Sequence, residues 1–282
     1  MTVAAAPRVS YWANLANSYQ QLGWPFRPSP EDLRFFEETV AAWAVGRDGQ
    51  RLSALMLGVT RDIATMNWPE STELLGVDNS GAMVSGVWPG DIPNRRSGIQ
   101  GDWFHLPRAD ASCDIVIGDG SLNCVRYPAQ FRDLAASVRR VLRDDGIFIH
   151  RCYVQSQNPE THGELFDAVY SEPITDFHHF KFRLLLSMQK NAQEGICVND
   201  VYQGWAAQTI DRERLVSELG WRADEIATME NYRGSSTVHS FPTLDEYRGG
   251  LREFFEEPDI LTPSAPLGAR CPVLIMRPRR QR

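Results

Sequence analysis

Four residues that could contact a ligand each follow a short apolar run that is predicted to be a strand. Gly58 follows the first run, Asp78 the second, Asp102 the third, and Asp119 ends the fourth. In open α/β sheets, ligands bind beyond the carboxyl ends of the strands, near the point where the strand order reverses. We therefore expect these four residues to lie along one edge of a sheet and to line a ligand site.

The acidic residues suit a nucleoside. Asp78 lies 20 residues after Gly58, which is the spacing at which an acid reaches a ribose, and its two oxygens can accept both hydroxyl protons. Asp102 precedes Trp103, so an acid that accepts from an adenine amine would lie beside an aromatic ring. Each acid has an alternative role, because Asp78-Asn79 could form a turn and Asp102 could cap a loop.

Gly58 and Asp119 could each contact a ligand or have a purely structural role. Glycine at position 58 permits close approach of a ligand to the backbone, although a glycine also commonly ends a strand. Asp119-Gly120-Ser121 could position a methionine group or an acceptor, or it could cap a turn.

The loop after the first strand distinguishes between nucleotides. A dinucleotide site needs several glycines, so that the backbone can reach a pyrophosphate at a helix N-terminus. Here Gly58 is followed by Thr60, Arg61 and Asp62, and the acid would lie near two phosphates. S-adenosylmethionine has no phosphate and carries a positive sulfonium, which an acidic loop tolerates. The loop favours S-adenosylmethionine over NAD as the cofactor.

Strands alternate with helices in the first half of the chain, which predicts parallel pairing and right-handed crossovers. A first helix begins at Ser29-Pro30 with Asp32 at the capping-box position. The predicted strands are Ser53–Gly58, Glu73–Val77, Ser97–Gly101, Cys113–Gly118 and Ile147–Val154, and the helices between them are Arg61–Met66, Ser80–Val87 and Ala129–Leu142.

The second half departs from that alternation. The capping pattern predicts helices over Pro159–Val169, with Asn158 as cap, Phe177–Gln189, and Arg212–Leu219 between Asp211 and Gly220. Two β-like runs follow, near Ser235–Phe241 and Pro272–Arg277, with a helix between them that begins at the capping box Thr243-x-x-Glu246.

These runs together resemble a class I S-adenosylmethionine-dependent methyltransferase. The resemblance covers about 51–154 and the ending 271–278, and its motifs are Ala54-Leu-Met-Leu-Gly-Val-Thr60, Leu75-Gly-Val-Asp-Asn-Ser80, Gln100-Gly-Asp-Trp103, Cys113-Asp-Ile-Val-Ile-Gly-Asp-Gly-Ser121 and Leu142-Arg-Asp-Asp-Gly-Ile-Phe148. It implies a Rossmann-like, mostly parallel seven-stranded α/β sheet with helices on both faces, an antiparallel last strand and a helical lid insertion.

The resemblance also implies roles for residues. Gly58 and Thr60 would contact the methionine and ribose, Asp78 would bind the ribose, Asp102 and Trp103 would hold the adenine, and Asp119 would lie beside the reacting centre. The full predicted cofactor-binding set is Tyr19, Gly58, Thr60, Asp78, Asn79, Asp102, Trp103, Asp119 and Gly120.

The first motif departs from the family pattern. Met56 stands where the family usually has an acid, and Thr60 and Asp62 stand at the second and third glycine positions. Asp62 or a residue of the N-terminal arm could replace the missing acid.

We expect four parts along the chain. They are an aromatic N-terminal arm and helix that form a lid (1–50), the cofactor-binding core (51–155), a helical substrate or lid insertion (156–233), and C-terminal strands that complete the sheet (234–282). Tyr11, Trp12 and Tyr19 of the arm could close over the methionine, although Trp12, Leu15, Tyr19 and Leu22 also fall at the spacing of an ordinary packing stripe.

Methyl transfer needs positioning and exclusion of water, and a base only if the acceptor carries a proton. Asp119 and His178 are the candidate catalytic residues, whereas His150 sits late in an apolar strand and is expected to be a core histidine. His162, His178 and His179 do not have the spacing of a metal site, so we predict no metal.

The composition limits the classes of partner that we expect for this protein. A net charge of −7 argues against a surface that binds nucleic acid. No run of the sequence is long and apolar enough for a membrane span. The five cysteines are scattered and do not have the spacing of a zinc site. The first ten residues lack the apolar core of a signal peptide, so we expect a cytoplasmic location. We expect a small-molecule acceptor, and the sequence leaves a homodimer open.

Three alternatives to an enzyme that methylates a small molecule remain open. The altered first motif could mark a regulatory or scaffold protein that binds S-adenosylmethionine without turnover. An NAD(P)-dependent oxidoreductase is disfavoured by the acidic loop. A nucleic-acid methyltransferase is disfavoured by the net charge and because Asp119-Gly-Ser-Leu lacks the Pro-Pro-aromatic ending of many such enzymes.

Overall fold

The computed structural model describes residues 10–47, 49–171, 174–208 and 210–280, so the first nine residues, on which the expectation about a signal peptide rests, lie outside it. Its nine strands within these ranges are β1 (Leu52–Leu57), β2 (Thr72–Asp78), β3 (Arg96–Gln100), β4 (Cys113–Asp119), β5 (Leu142–Arg151), β6 (Ile196–Cys197), β7 (Val238–His239), β8 (Asp259–Leu261) and β9 (Val273–Met276).

Eleven α-helices lie within the same described ranges. They are α1 (Tyr11–Asn17), α2 (Pro30–Ala44), α3 (Arg61–Ala64), α4 (Gly81–Gly86), α5 (Ala129–Val141), α6 (His162–Ala168), α7 (Phe177–Met188), α8 (Val198–Ala206), α9 (Arg212–Leu219), α10 (Ala223–Ala227) and α11 (Leu244–Leu251). Each of these helices is too short or too polar to span a lipid bilayer.

Seven of the strands form one sheet in the order β3-β2-β1-β4-β5-β9-β8. The first five strands pair in parallel, and β9 runs antiparallel to both of its neighbours. This is the Rossmann-like sheet that the sequence predicts, including its antiparallel last strand. The order reverses between β1 and β4, so the crevice for a ligand lies above the carboxyl ends of these strands.

Both faces of the sheet are buried. Leu55 and Leu57 of β1 point into the apolar cluster under α5 and α11, whereas Ala54 and Met56 point into the cluster under α2. All four side chains are at most 1% exposed, which is why β1 reads as a continuous apolar run rather than an alternating one.

The apolar face of α5 packs against the sheet, as the amphipathic pattern of its sequence predicts. Phe131, Leu134, Val138 and Val141 are each 0% exposed and lie in one cluster against the sheet. α2 begins as its sequence predicts, because Ser29 accepts from the backbone N–H of Asp32 while the Asp32 carboxylate accepts from the backbone N–H of Ser29.

Several elements differ from the predicted ones. α6 begins at Thr161, which forms a capping box with Glu164, and not at Asn158, because only Thr161 has the acid three residues later. The aromatic arm contains α1. The sequence reading also missed β6, α8, α10 and β8, which are short or lack strong capping signals.

The late β-like run near Ser235–Phe241 forms only β7, which pairs with β6 outside the main sheet. Between β5 and β8, helices α6 to α10 surround an apolar cluster of their own, which includes Phe177, Phe180, Trp205 and Trp221. The insertion therefore has its own core, and α1 packs on it through Tyr11.

The buried capping box of α2 should contribute more to stability than its exposed counterpart on α6. Replacing Ser29 by Ala removes the cap beside the fully buried Asp32 and should reduce the free energy of unfolding by about 1–2 kcal/mol. Replacing Thr161 by Ala should reduce it by about 0.5–1 kcal/mol. Urea denaturation of both variants measures the difference. A larger loss for Thr161→Ala would contradict this ranking.

Candidate active site

A cavity of about 370 Å³ lies above the carboxyl ends of β1, β2 and β4, between the sheet, α1 and the insertion. Its volume is within the range of small-molecule sites in proteins. All nine residues of the predicted cofactor-binding set line this cavity: Tyr19, Gly58, Thr60, Asp78, Asn79, Asp102, Trp103, Asp119 and Gly120. The fold thus brings together side chains that are up to about a hundred residues apart.

Gly58 directly follows β1 with a φ of +97°, which favours glycine because a side chain would be strained there. A Cβ at this position would lie 3.8 Å from Asp78 Oδ2 and 3.9 Å from Cζ2 of Trp103. The absent side chain therefore leaves a hollow between the Asp78 carboxylate and the Trp103 indole.

Asp78 keeps one carboxylate oxygen free for that hollow. Its Oδ1 accepts from the backbone N–H of Ser80 at 2.8 Å, as the turn interpretation predicts, while no described residue donates to Oδ2. Burial raises the pKa of Asp78 to about 6, and the Ser80 hydrogen bond opposes this in part. Asp78 is thus a buried acceptor that titrates close to neutral pH.

Asp102 caps a short 3-10 turn and still lines the cavity. Its Oδ1 accepts from the Phe104 N–H at 2.9 Å and its Oδ2 contacts Nδ1 of His105 at 2.6 Å. The hydrogen bond to His105 lowers the pKa of Asp102, and the bond to Phe104 adds to this. Trp103 donates from Nε1 to the Val77 carbonyl at 2.6 Å, which orients its ring along the cavity wall.

Asp119 is ion-paired at the floor of the cavity. It is the register partner of Arg151 on β5, and Arg151 Nε donates to Asp119 Oδ1 at 2.7 Å. Nη1 of the same guanidinium lies 3.7 Å from Asp32 of α2, and all three side chains are at most 5% exposed. Burial raises the pKa of Asp119, and Arg151 offsets that rise in part.

Asp62 does not reach the cavity. Arg27 binds both of its oxygens, at 2.6 and 3.1 Å, and the Tyr19 hydroxyl donates to it at 3.0 Å. Met56 is fully buried in the core under α2. The acid that the first motif lacks is therefore not supplied by Asp62, whose charge is neutralised by Arg27.

The histidines predicted from the sequence lie away from the cavity. His178 Nε2 contacts the carbonyl of Gln21 at 2.8 Å, and burial lowers its pKa to about 4. His150 is fully buried, with Nε2 3.0 Å from Ser121 Oγ, so it is the core histidine that its position indicates. Neither is among the described residues that line the cavity.

The far wall of the cavity consists of aromatic residues that sequence reasoning largely missed. Tyr11 was predicted as a residue that could close over the methionine, whereas Tyr153, Phe182, Tyr232 and His239 were not predicted at all. They come from α1, the chain after β5, α7, a 3-10 turn and β7, so no spacing along the sequence connects them. Only the density of aromatic residues in the arm and the insertion indicates such a wall.

Comparison with known proteins agrees with this architecture. Residues 55–150 match a family model described as a methyltransferase domain. Two solved structures similar in fold are a putative zinc-dependent alcohol dehydrogenase from Rhodobacter sphaeroides (12% identity, TM-score 0.57, 97% of this chain and 100% of that one) and the CurJ carbon methyltransferase (11% identity, TM-score 0.53, 94% of this chain and 60% of that one). No curated protein matches the chain.

At these identities the solved structures establish the fold alone, and methyltransferases and dehydrogenases both use Rossmann-like sheets. The matched family model assigns residues 55–150 to a methyltransferase domain, and the sheet order is that of the class I S-adenosylmethionine-dependent methyltransferase fold. This chain carries a methyltransferase domain of that family in residues 55–150, and S-adenosyl-L-methionine is its cofactor. A methyl acceptor is its second substrate.

Removing the cation from the floor of the cavity should destabilise the protein in a pH-dependent way. Arg151→Met leaves Asp119 and Asp32 buried without their counter-ion, which should cost about 3–5 kcal/mol. The pKa of Asp119 in the folded variant then lies above its unfolded value, so the loss should grow as the pH rises from 5 to 8.

Urea denaturation at both pH values tests this, with Arg143→Met as the control, because Arg143 pairs with the buried Asp114 but is itself half exposed. An equal or greater loss at pH 5 would show that the Arg151 ion pairs do not determine stability here.

Proposed function

We propose that the cavity binds S-adenosylmethionine and that the protein transfers its methyl group to a small-molecule acceptor. The observation that carries this proposal is the hollow at Gly58, where the free oxygen of Asp78 faces space that a side chain would fill. A ribose diol placed there would donate to that oxygen. The residues present thus fit the adenosyl group of the cofactor.

The charges of the lining support a ligand without phosphates. The described residues around the cavity include Asp78, Asp102 and Asp119 but neither Lys nor Arg. A pyrophosphate would face these acids without a cation, whereas a sulfonium is favoured by them. The similarity in fold to a dehydrogenase therefore does not support NAD as the ligand.

The proposed roles follow the positions of the residues. Asp78 and Asn79 would bind the ribose, and Asp102 with the ring of Trp103 would hold the adenine through the remaining lone pairs of the carboxylate. Gly58, Thr60, Tyr19 and Gly120 would surround the methionine. The hydroxyl of Thr60 is available because it does not cap α3.

Asp119 would act by positioning and not as a base. Its pairing with Arg151 occupies the carboxylate and ties the end of β4 to β5 and α2. When bound, the cofactor supplies an electrophilic methyl group. The protein's own contribution is to hold the acceptor in line and to exclude water.

The enclosure supports a small acceptor. Tyr11, Trp12 and Leu15 of α1 and Leu185 and Tyr232 of the insertion cover a space of about 370 Å³. A nucleic acid would need a basic surface, and the chain has a net charge of −7. This enclosure is consistent with our proposal that the N-terminal arm and the insertion form a lid. From the sequence we further propose that the protein acts in the cytoplasm.

A regulatory protein that binds the cofactor without turnover remains the second candidate, because the first motif departs from the family pattern. Transfer of labelled methyl groups across a panel of acceptors separates the two functions. Persistent inactivity despite tight cofactor binding would favour regulation.

Asp78→Ala should weaken binding of S-adenosylhomocysteine at least tenfold, because the ribose loses its only free carboxylate oxygen in the hollow. Isothermal titration calorimetry measures this directly. Asp167→Ala is the matched control, since Asp167 lies exposed on α6, away from the cavity, and should leave binding unchanged. Wild-type protein that releases no heat with S-adenosylhomocysteine but binds NADH would refute the proposed function.

Cofactor affinity should also fall as the pH drops through about 6, the pKa of Asp78. Binding uses the ionised carboxylate, so protonation of the free protein competes with it. The affinity at pH 5 should be about tenfold weaker than at pH 8. Asp78→Asn cannot titrate at this position, so its affinity should change less over the same range. An identical pH dependence in both proteins would exclude Asp78 as the titrating group.

A further inference from the structure

Rings line the aromatic half of the cavity, by which we mean the part contributed by the N-terminal arm, the chain after β5, α7 and the segment 228–241. They belong to Tyr11, Trp12, Phe26, Tyr153, Phe182, Tyr232, His239 and Phe241. The three acidic residues of the lining all lie at the strand ends or in the loop after β3, and so belong to the other part of the lining. Among the described lining residues, this aromatic half therefore offers neither a carboxylate nor a basic side chain other than the imidazole of His239. A flat aromatic molecule matches such a surface.

The position of Lys181 favours binding of a neutral molecule over binding of a cation in this part of the cavity. Its ammonium lies 4.8 Å from the ring centre of Phe26 and 5.0 Å from that of Tyr232, and it donates to Thr228 Oγ1 at 2.8 Å. It is buried, and burial lowers its pKa to about 7. Where Lys181 is protonated, a second cation on these rings would be repelled by it and would share the same π electrons.

An anionic guest is disfavoured for a different reason. Lys181 is not among the residues that line the cavity, because the rings of Phe26 and Tyr232 lie against it. Arg151 lies under the floor, where its guanidinium is bound to Asp119, Asp32 and the Tyr153 hydroxyl. A carboxylate would thus lose its water in this half of the cavity without gaining a cation.

Among the described residues of this wall, His239 is the one whose side chain carries an imidazole nitrogen that can accept a proton. It is 8% exposed, and its ring meets those of Tyr11 and Trp12 edge-on, with centroids 5.8 and 6.1 Å apart. Burial lowers its pKa to about 4, opposed by a hydrogen bond with the Asn123 carbonyl. The imidazole is therefore neutral at physiological pH, and with one nitrogen donating to Asn123 the other can accept.

We infer that the acceptor is an uncharged aromatic hydroxy compound, a phenol, and that His239 takes the hydroxyl proton during methyl transfer. This inference rests on the proposed function. The phenol oxygen forms a bond to the methyl carbon as the carbon–sulfur bond breaks, and its proton passes to His239 and then to solvent. The products are an aryl methyl ether, S-adenosylhomocysteine and one proton.

A weakly basic imidazole is sufficient for this step. Positive charge moves from sulfur to the phenol oxygen as the new bond forms, so the hydroxyl becomes strongly acidic along the reaction. A side chain that stays neutral over the working pH range can then accept the proton without prior ionisation of the phenol.

Calorimetry with protein saturated in S-adenosylhomocysteine tests the class of acceptor. Three one-ring probes of similar size are 4-methylphenol, 4-methylbenzoate and 4-methylbenzylammonium. We expect 4-methylphenol to bind at least tenfold more tightly than either ion. Equal or tighter binding of either ion would overturn the inference about the acceptor. Failure of S-adenosylhomocysteine itself to bind would instead overturn the proposed function.

The role of His239 is tested by His239→Asn, with His162→Asn on the exposed face of α6 as the control. With 4-methylphenol as acceptor, kcat should fall by about 10²–10⁴-fold for His239→Asn, while KM and S-adenosylhomocysteine affinity change less than threefold. With 4-nitrophenol, which ionises without a base, the defect in kcat should be smaller. An unchanged kcat, or an equal loss with both phenols, would exclude His239 as the base.

Discussion

The ion pairs of Arg151 connect the parts of the structure on which the cavity depends. The guanidinium binds Asp119 at the end of β4 and lies beside Asp32 in the first turn of α2. It also donates to the Tyr153 hydroxyl, which in turn donates to the carbonyl of Pro25. The sheet edge, the N-terminal segment and the chain leading to the insertion thus meet at one buried cation. Burying such a charge is favourable only when its partners remain in place.

This arrangement also determines the electrostatics of the cavity. Because Arg151 neutralises Asp119 and Arg27 neutralises Asp62, Asp78 is left as the buried carboxylate with a free oxygen toward the ligand. The altered first motif is compatible with this arrangement. The acid at position 62 serves to hold Tyr19 and Arg27, and the core takes up Met56, so neither needs to contact the cofactor.

The two halves of the cavity differ in the way that a two-substrate reaction requires. The sheet side offers acids and a glycine hollow, which suit a polar, positively charged nucleoside. The aromatic half offers rings from separate parts of the chain and one neutral imidazole, which suit an uncharged aromatic guest. The insertion has its own apolar core around Phe177 and Trp221.

The sequence by itself determined the five parallel strands and β9, the helices that cover them and the sheet side of the cavity. Buried parallel strands read as apolar runs, and a ligand residue at each carboxyl end follows from local spacing, which is why Gly58, Asp78, Asp102 and Asp119 could be predicted together. Capping chemistry is equally local, and it located the starts of α2 and α9.

Only the tertiary structure decided which of these side chains remain free and what forms the lid. Asp62 and Asp119 look equally available in the sequence, but each meets an arginine from a distant element. His239 became part of the site, and His178 did not, because packing of the insertion turned one toward the cavity and the other toward the carbonyl of Gln21. Such contacts join residues with no periodic relation along the chain, so no local pattern could predict them.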